Sequence, residues 1–312
     1  MRVITQRVFG GPDVLEVAEA ESPRPLPTEV LVQVKAIGLN PIEPVIRAGH
    51  FPLLGEPPFV LGWDVSGVVV GAEPETWRFR PGDEVFGMPL FPRAAGGYAE
   101  FVAAPARQLA SKPRTVDHAH AAALPLVGLS AWQALVDLAD VKAGDRVLIH
   151  GGGGGVGHVA VQLAKWLGAR VITTTSAAKR EFVTELGADE VIDYQRVDFT
   201  EATDEVDVVL DTVSGGDYGE RSLSVLRPGG LLVTAVDRTT AWLAAKAEAA
   251  GRRFAGIAVD PDHAALQRLA DLVDEGHLRV HVAAHFALEQ AAQAHRLLED
   301  GHTRGKIVLT VD

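Results

Sequence analysis

Five consecutive glycines, Gly151 to Gly155, separate an apolar run from a helix-patterned run, and Gly157 follows them. Within "HGGGGGVGHVAVQLAK", Gly152, Gly154 and Gly157 fit G-x-G-x-x-G. Glycine loses more backbone freedom on folding than any other residue, so a cluster this dense requires a compensating gain. An anion provides one. Backbone amides without side chains can close around a pyrophosphate, and the following helix adds unpaired N–H groups and partial positive charge. Gly152, Gly154, Gly155, Val156 and Gly157 are therefore candidates for the phosphate cradle of a dinucleotide site. An NAD site usually places Asp or Glu about 20 residues further on, to hold the ribose 2′-hydroxyl. Here the chain reads "TTTSAAKR", with no carboxylate. Ser176, Lys179 and Arg180 offer a hydroxyl and two cations, donors suited to a 2′-phosphate. NADP(H) is the expected cofactor. The alternative use of Ser176 is as a helix N-cap. Ser214, in "DTVSGG", follows a later strand of the same series and is a further cofactor candidate, with a plain turn as its alternative.

Other residue types capable of chemistry are sparse. The chain has no cysteine, which excludes disulfides, thiolate catalysis and cysteine-ligated metals. Histidines cluster only in "DHAH" (117–120) and at His281 and His285. Neither group has a third ligand at recognisable spacing and HExxH is absent, so no metal site is expected and solvated surface is the simpler reading. Tyr98, in "GGYAEF", reads as packing rather than as an acid.

The elements that must position these residues change character along the chain. The first third is rich in Pro and Gly, with strand-like runs in "EVLVQVKAIGL", "VSGVVVGA" and "GYAEFVAA" and a turn at "RPGDEV". It reads as a β-rich domain. From Val147 a strand-then-helix rhythm begins: "RVLIH", "RVITTT", "EVIDY", "VDVVLD", "LLVTAV" and "RFAGIAV" alternate with helical stretches, the last of them "HAALQRLADLVDEG". Six strands in that rhythm predict a doubly wound, parallel Rossmann sheet. The final "GKIVLTV" is a strand expected to rejoin the first domain. The resulting boundaries are 1–118, completed by 280–312, and 119–279. A length of 312 residues agrees with two domains.

Lys and Arg total 29 against 41 Asp and Glu, a net charge of −12. That surface repels phosphate backbones and anionic membranes. The opening "MRVITQRVFG" has no apolar core of signal-peptide length, and the longest uncharged run is broken by glycines and histidines. A soluble, cytoplasmic protein acting on a small molecule is expected.

Taken together, "IGLNPIEPVIRAGHFP", "PFVLGWDVSGVVV", "RPGDEVFG", "GGYAEF", "AAALPLVGLSAWQAL", "HGGGGGVGHVAVQLAK", "LGADEVIDY" and "GKIVL" resemble the ordered blocks of the medium-chain dehydrogenase/reductase superfamily. The resemblance is to its zinc-independent quinone oxidoreductase branch and covers nearly the whole chain. It implies a GroES-like β-rich domain, closed by the C-terminal tail, beside a Rossmann domain. It further implies pyrophosphate on Gly154 to Gly157, and the adenosine end at Ser176, Lys179 and Tyr194. The nicotinamide and substrate end is implied at Asn40, Phe51, Ser130 and the backbone around Val236 and Ile257. Homodimers joined through the last strand of the nucleotide domain are usual in such relatives.

The departures are informative. Zinc-dependent relatives carry cysteine where this chain has Asn40, and a His-Glu pair where it has Trp63 and Asp64; their four-cysteine lobe is absent. Related enoyl-thioester reductases use a tyrosine as proton donor where this chain has Phe51. The resemblance thus implies metal-free hydride transfer from NADPH to a quinone or an α,β-unsaturated carbonyl. Solvent is the default proton source and His50 a speculative one. The alternatives are an enoyl-thioester reductase of the same fold and a non-enzymatic NADPH-binding protein.

Overall fold

The computed structural model describes residues 1–72, 78–213, 215–236 and 241–312. Two units emerge, Met1–Leu129 with Asp260–Asp312, and Ser130–Val259. The chain opens with β1 (Arg2–Gln6), β2 (Glu16–Glu19), β3 (Glu29–Gly38) and α1 (Ile42–Arg47). Then come β4 (Phe59–Val60), β5 (Asp64–Ala72), β6 (Glu84–Gly87), β7 (Phe101–Pro105) and β8 (Leu109–Ser111), followed by α2 (His118–Ala122) and α3 (Pro125–Trp132).

Alternation in β3 does what its pattern requires. Val30, Val32 and Val34 point into the core, and the strand pairs antiparallel with both β5 and β7. The tail strand β16 (Lys306–Thr310) pairs with β3 through Val308↔Gly38, as the apolar "KIVL" run predicts. With β15 (Val282–Ala287) it extends a seven-stranded sheet in the order β15-β16-β3-β5-β6-β8, with β7 pairing β3 off that path; β1, β2 and β4 form a separate small sheet.

The second unit contains β9 (Arg146–His150), α4 (Gly155–Trp166), β10 (Arg170–Thr175), α5 (Arg180–Glu185) and β11 (Glu190–Asp193). It continues through α6 (Phe199–Ala202), β12 (Val206–Asp211), α7 (Tyr218–Val225), β13 (Leu226–Thr234), α8 (Ala241–Ala249) and β14 (Arg253–Gly256). The six strands form one parallel sheet in the order β11-β10-β9-β12-β13-β14. Strand order reverses beside β9, and such a switch point opens a crevice at the carboxyl ends of the strands. Leu148, Ile172, Val209 and Leu232, one from each central strand, form its core. Helix α4 is enclosed all round from Gly157 to Ala164, including His158 and Gln162.

The observed division differs from the sequence boundaries at two places. Helices α2 and α9 (His263–Asp274) group with the β-rich unit. Ala122 of α2 lies so close over β3 that a Cβ on Gly38 would sit 2.2 Å from its carbonyl oxygen. Helix α9 is tied to the β8 region by Ser111 N–H donating to Gln267 and by Thr115 donating to Asp274 at 2.9 Å. Periodicity reports an amphipathic helix but not the sheet that covers it.

Candidate functional site

The glycine loop leaves β9 and starts α4. Gly154 is the N-cap residue, and no side chain caps the first turn. Two glycines are fixed by close approach. A Cβ on Gly157 would stand 2.2 Å from the carbonyl oxygen of Gly151, and one on Gly152 would stand 2.0 Å from Thr173 Oγ1. Helix and loop therefore meet backbone to backbone at Gly157, and loop and strand meet at the Thr173 side chain with no room for a Cβ, while the amides of an uncapped twelve-residue helix remain available to an anion. Gly155 opens the helix, and Val156 after it is half-buried. Thr212 Oγ1 donates to His150 O at 2.6 Å, tying the loop after β12 to the end of β9. Ser214 lies outside the described residues.

His150 supports this corner and was not singled out by sequence reasoning. Its ring is buried edge-on against Phe199 and Tyr218, at 4.6 and 5.1 Å. Ser222 Oγ donates to Tyr218 O, so it accepts from His150 Nε2, while Nδ1 faces Thr174 Oγ1 at 3.2 Å. Burial, with a smaller contribution from Arg221, pushes this imidazole down to about 3, so it is neutral at physiological pH.

The end of β10 bears no carboxylate. Ser176 occupies the N-cap position of the short turn Ala177–Lys179, but its hydroxyl makes no capping bond. Lys179 lies across the glycine loop: a Cβ on Gly153 would be 2.7 Å from Lys179 Cδ. Strands β10 and β11 are parallel with Thr175↔Asp193 in register, which brings Ser176 and Tyr194 out side by side. Tyr194 is 50% exposed. Val236 and Ile257 follow β13 and β14 at the same edge of the sheet, the first partly exposed and the second buried. Ser130 is buried in α3. The loop and the residues with which it starts a helix thus fit a dinucleotide with an anionic adenosine end.

In the first unit, His50 is exposed just after α1 and Phe51 is half-buried. Asn40 is fully enclosed. Its Nδ2 donates to Asp64 Oδ2 at 3.0 Å, and its Oδ1 accepts from the Lys306 ammonium. Lys306 also donates to Leu39 O at 2.5 Å and lies 3.5 Å from Asp64 Oδ2. An enclosed amide meets no ligand directly, so any role of Asn40 runs through the groups it holds. Burial drives Asp64 up and Lys306 down, each opposed by the charge of the other.

A zinc ion does not fit this place. Trp63 is buried with its indole N–H donating to Arg93 O at 2.7 Å. Asp64 is already bonded by an amide and an ammonium, and the ammonium is itself a fixed cation. Elsewhere, His118 bonds Ser66 Oγ at 2.8 Å and Glu84 at 3.1 Å, and His120 bonds Asp117. Among the described residues no group of three or more His, Cys, Asp or Glu is placed to hold a metal ion. Tyr98 is wholly buried, as its packing reading predicts, with its hydroxyl donating to Glu43.

Residues 26–114 match the alcohol dehydrogenase GroES-like domain, and residues 186–309 match a family described as zinc-binding dehydrogenase. The solved quinone oxidoreductase from Coxiella burnetii aligns with a TM-score of 0.93 and 37% identity, covering 100% of this chain and 99% of that one. An Escherichia coli quinone oxidoreductase complexed with NADPH aligns at 0.89 and 29% identity, covering 99% of this chain and 100% of that one. The NADPH-dependent alkenal/one oxidoreductase, chloroplastic, of Arabidopsis thaliana is 33% identical over 96% of this chain and 77% of its own length.

Proposed function

Because the chain belongs to the medium-chain dehydrogenase/reductase superfamily, in its quinone oxidoreductase branch, we propose that it is an NADPH-dependent reductase of quinones or α,β-unsaturated carbonyls. The observation that carries this reading is the Cβ-free loop over an uncapped helix, with Lys179 lying across it and no carboxylate at the end of β10. Gly152 to Gly157 hold the pyrophosphate; Ser176, Lys179 and Tyr194 hold the adenosine end. When bound, NADPH supplies the hydride. The family resemblance assigns the nicotinamide and acceptor end to the segment Asn40 to Phe51 in the first unit and to Ser130, Val236 and Ile257 in the second.

The reaction is zinc-independent on this reading. Asn40 and Asp64 are bonded to each other, Asn40 also accepts from the Lys306 ammonium, and the Trp63 N–H is taken by Arg93 O. A conjugated acceptor spreads the incoming negative charge over its own carbonyl, which relaxes the need for a Lewis acid. The protein's part is orientation and exclusion of water. The proton comes from solvent, with the exposed His50 as the one nearby side chain singled out for it. Phe51 has no hydroxyl to give, which weighs against the enoyl-thioester alternative.

Strand β14 is an edge of the six-stranded sheet, and pairing of two copies through it is the proposed homodimer. No helix among the described residues is long and apolar enough to cross a membrane. The net charge of −12, which repels phosphate backbones and anionic membranes, supports the reading of a cytoplasmic protein without nucleic-acid or membrane partners. The test follows NADPH absorbance across quinones, enones, enoyl-thioesters and simple alcohols with NADP. Turnover is expected for the first two classes. Comparable oxidation of a primary alcohol, or no turnover with any acceptor, overturns the assignment.

A further inference from the structure

A buried polar chain in the first unit has no part in the reading above. Arg47, 2% exposed, pairs with Glu299 of α10 (Ala291–Glu299) at 2.7 Å, and its Nη1 lies 2.9 Å from His295 Nδ1. Arginine can only donate, so Nδ1 is bare and the imidazole proton is on Nε2. Burial holds His295 at about 3, so the ring is neutral. Nε2 then donates to Tyr98 Oη at 2.9 Å, leaving the tyrosine proton for Glu43 Oε2, also at 2.9 Å. The same Glu43 oxygen accepts the backbone N–H of Asn40 at 2.8 Å. One arginine therefore sets the direction of the links from His295 through Tyr98 to Glu43.

Both ends of α1 are held by this chain. Glu43 anchors its first turn and Arg47 its last. Arg47 Nε also donates to Gly10 O at 3.1 Å, and Gln6 donates to Arg47 O at 3.0 Å. Six residues make a helix far too short to persist alone, and its N-terminus has no side-chain cap. Its place is set by these side chains, and it leads directly into His50 and Phe51. Glu43 Oε1 is buried with no hydrogen-bond partner, and burial raises this carboxyl to about 8, so at neutral pH it is a carboxylic acid with its proton on that oxygen.

We infer that Glu43 and Tyr98 are positioning residues for the acceptor end: they clamp α1 so that the segment from Asn40 to Phe51 keeps one geometry, and so set acceptor affinity without touching the acceptor. This rests on the reading of that segment as the acceptor side, with the cofactor held by the second unit.

The test measures KM and kcat for 1,4-naphthoquinone and 2-cyclohexenone, and NADPH affinity by fluorescence titration, on the full chain. Glu43→Gln keeps a carbonyl oxygen for both donors and should leave KM within about twofold of wild type. Glu43→Leu strands the Asn40 N–H and the Tyr98 hydroxyl, and Tyr98→Phe cuts the chain while preserving shape. Each should raise acceptor KM roughly tenfold, with a smaller change in kcat, since small misplacements are costly in an oriented site. NADPH affinity should stay within about twofold. Phe51→Ala is the control for the underlying reading. If it leaves KM unchanged, the acceptor-side assignment fails and the inference with it. If it shifts KM while Glu43→Leu and Tyr98→Phe do not, the inference alone fails. Loss of NADPH affinity in step with acceptor KM, or a Gln variant as impaired as the Leu variant, also overturns it.

Discussion

In the second unit the chain leaves electropositive groups open, as backbone amides over a helix start with a lysine stem laid across them. In the first it closes them: an ammonium, two carboxyls, a guanidinium and an imidazole all lie within the core. The open arrangement suits a ligand, because an uncapped helix end offers its amides to an anion. The closed one pairs its groups with one another, Glu43 Oε1 excepted, because buried charges are tolerated only when paired and hydrogen-bonded. The two regions should therefore fail differently. Damage to the loop should cost cofactor binding, and damage to the closed cluster should cost stability or acceptor geometry.

The sharpest way to break that contrast is Gly157→Val. A Cβ there is already 2.2 Å from a carbonyl oxygen, and the branched side chain adds two more carbons where only backbone can give way. NADPH binding should fall by at least about a hundredfold, read by titration alongside circular dichroism. A folded variant with normal NADPH affinity would show that the loop is not the phosphate cradle.

Next in size is Lys306→Met. It removes the cation beside enclosed Asp64 and leaves the Asn40 Oδ1 without its donor. Breaking one side of a buried pair typically costs about 3–5 kcal/mol, so the midpoint of chemical denaturation should drop substantially. Adding Asp64→Asn should recover part of the loss, a coupling that a double-mutant cycle measures. Additive losses would mean that the two groups do not act as a pair.

These regions were unequally legible. The glycine spacing and the missing carboxylate are local, because backbone chemistry demands particular residue types a few positions apart. The six-strand rhythm is local too, and the parallel sheet follows it. The closed cluster draws on residues 43, 47, 98, 295 and 299 and on 40, 64 and 306, which become neighbours only once β3, β5 and β16 are in register. No spacing rule connects them. "NPIEPVIR" contains Glu43 and Arg47 within one helical turn, and two opposite charges inside an otherwise apolar stretch were the available signal. Helices α2 and α9 show the same limit, since their patterns do not name the sheet on which they pack.

A pH-dependent effect separates a buried acid from an open one. Folded Glu43 keeps its proton to about 8, whereas the unfolded carboxyl releases it near 4.5. The folded state therefore binds the extra proton between those values. The stability this group contributes is fully present below about pH 4.5 and is lost as pH rises toward about 8. The slope approaches about 1.4 kcal/mol per pH unit at most. Glu43→Gln should remove that slope, so its stability relative to wild type should improve steadily from pH 5 to 8. Parallel pH profiles for the two proteins would mean that Glu43 is ionised in the fold.

The smallest expected effect tests the open region where it meets solvent. Lys179 is only half-buried, and its stem packs on Gly153. Ser176 makes no capping bond and Tyr194 emerges beside it, and on the proposed reading the Lys179 cation meets a 2′-phosphate rather than a ribose hydroxyl. Wild type should prefer NADPH to NADH. A charge-assisted hydrogen bond contributes roughly 1.5–3 kcal/mol, and each ~1.4 kcal/mol is tenfold in affinity. Lys179→Ala should weaken NADPH binding between about tenfold and a hundredfold, nearer the lower figure because water screens the pair, while NADH binding changes little. Raising the salt concentration should narrow the difference between wild type and variant. Titrating both cofactors against both proteins decides it. Equal losses for NADPH and NADH would return Lys179 to the packing of the glycine loop, and a wild-type preference for NADH would remove the 2′-phosphate assignment altogether.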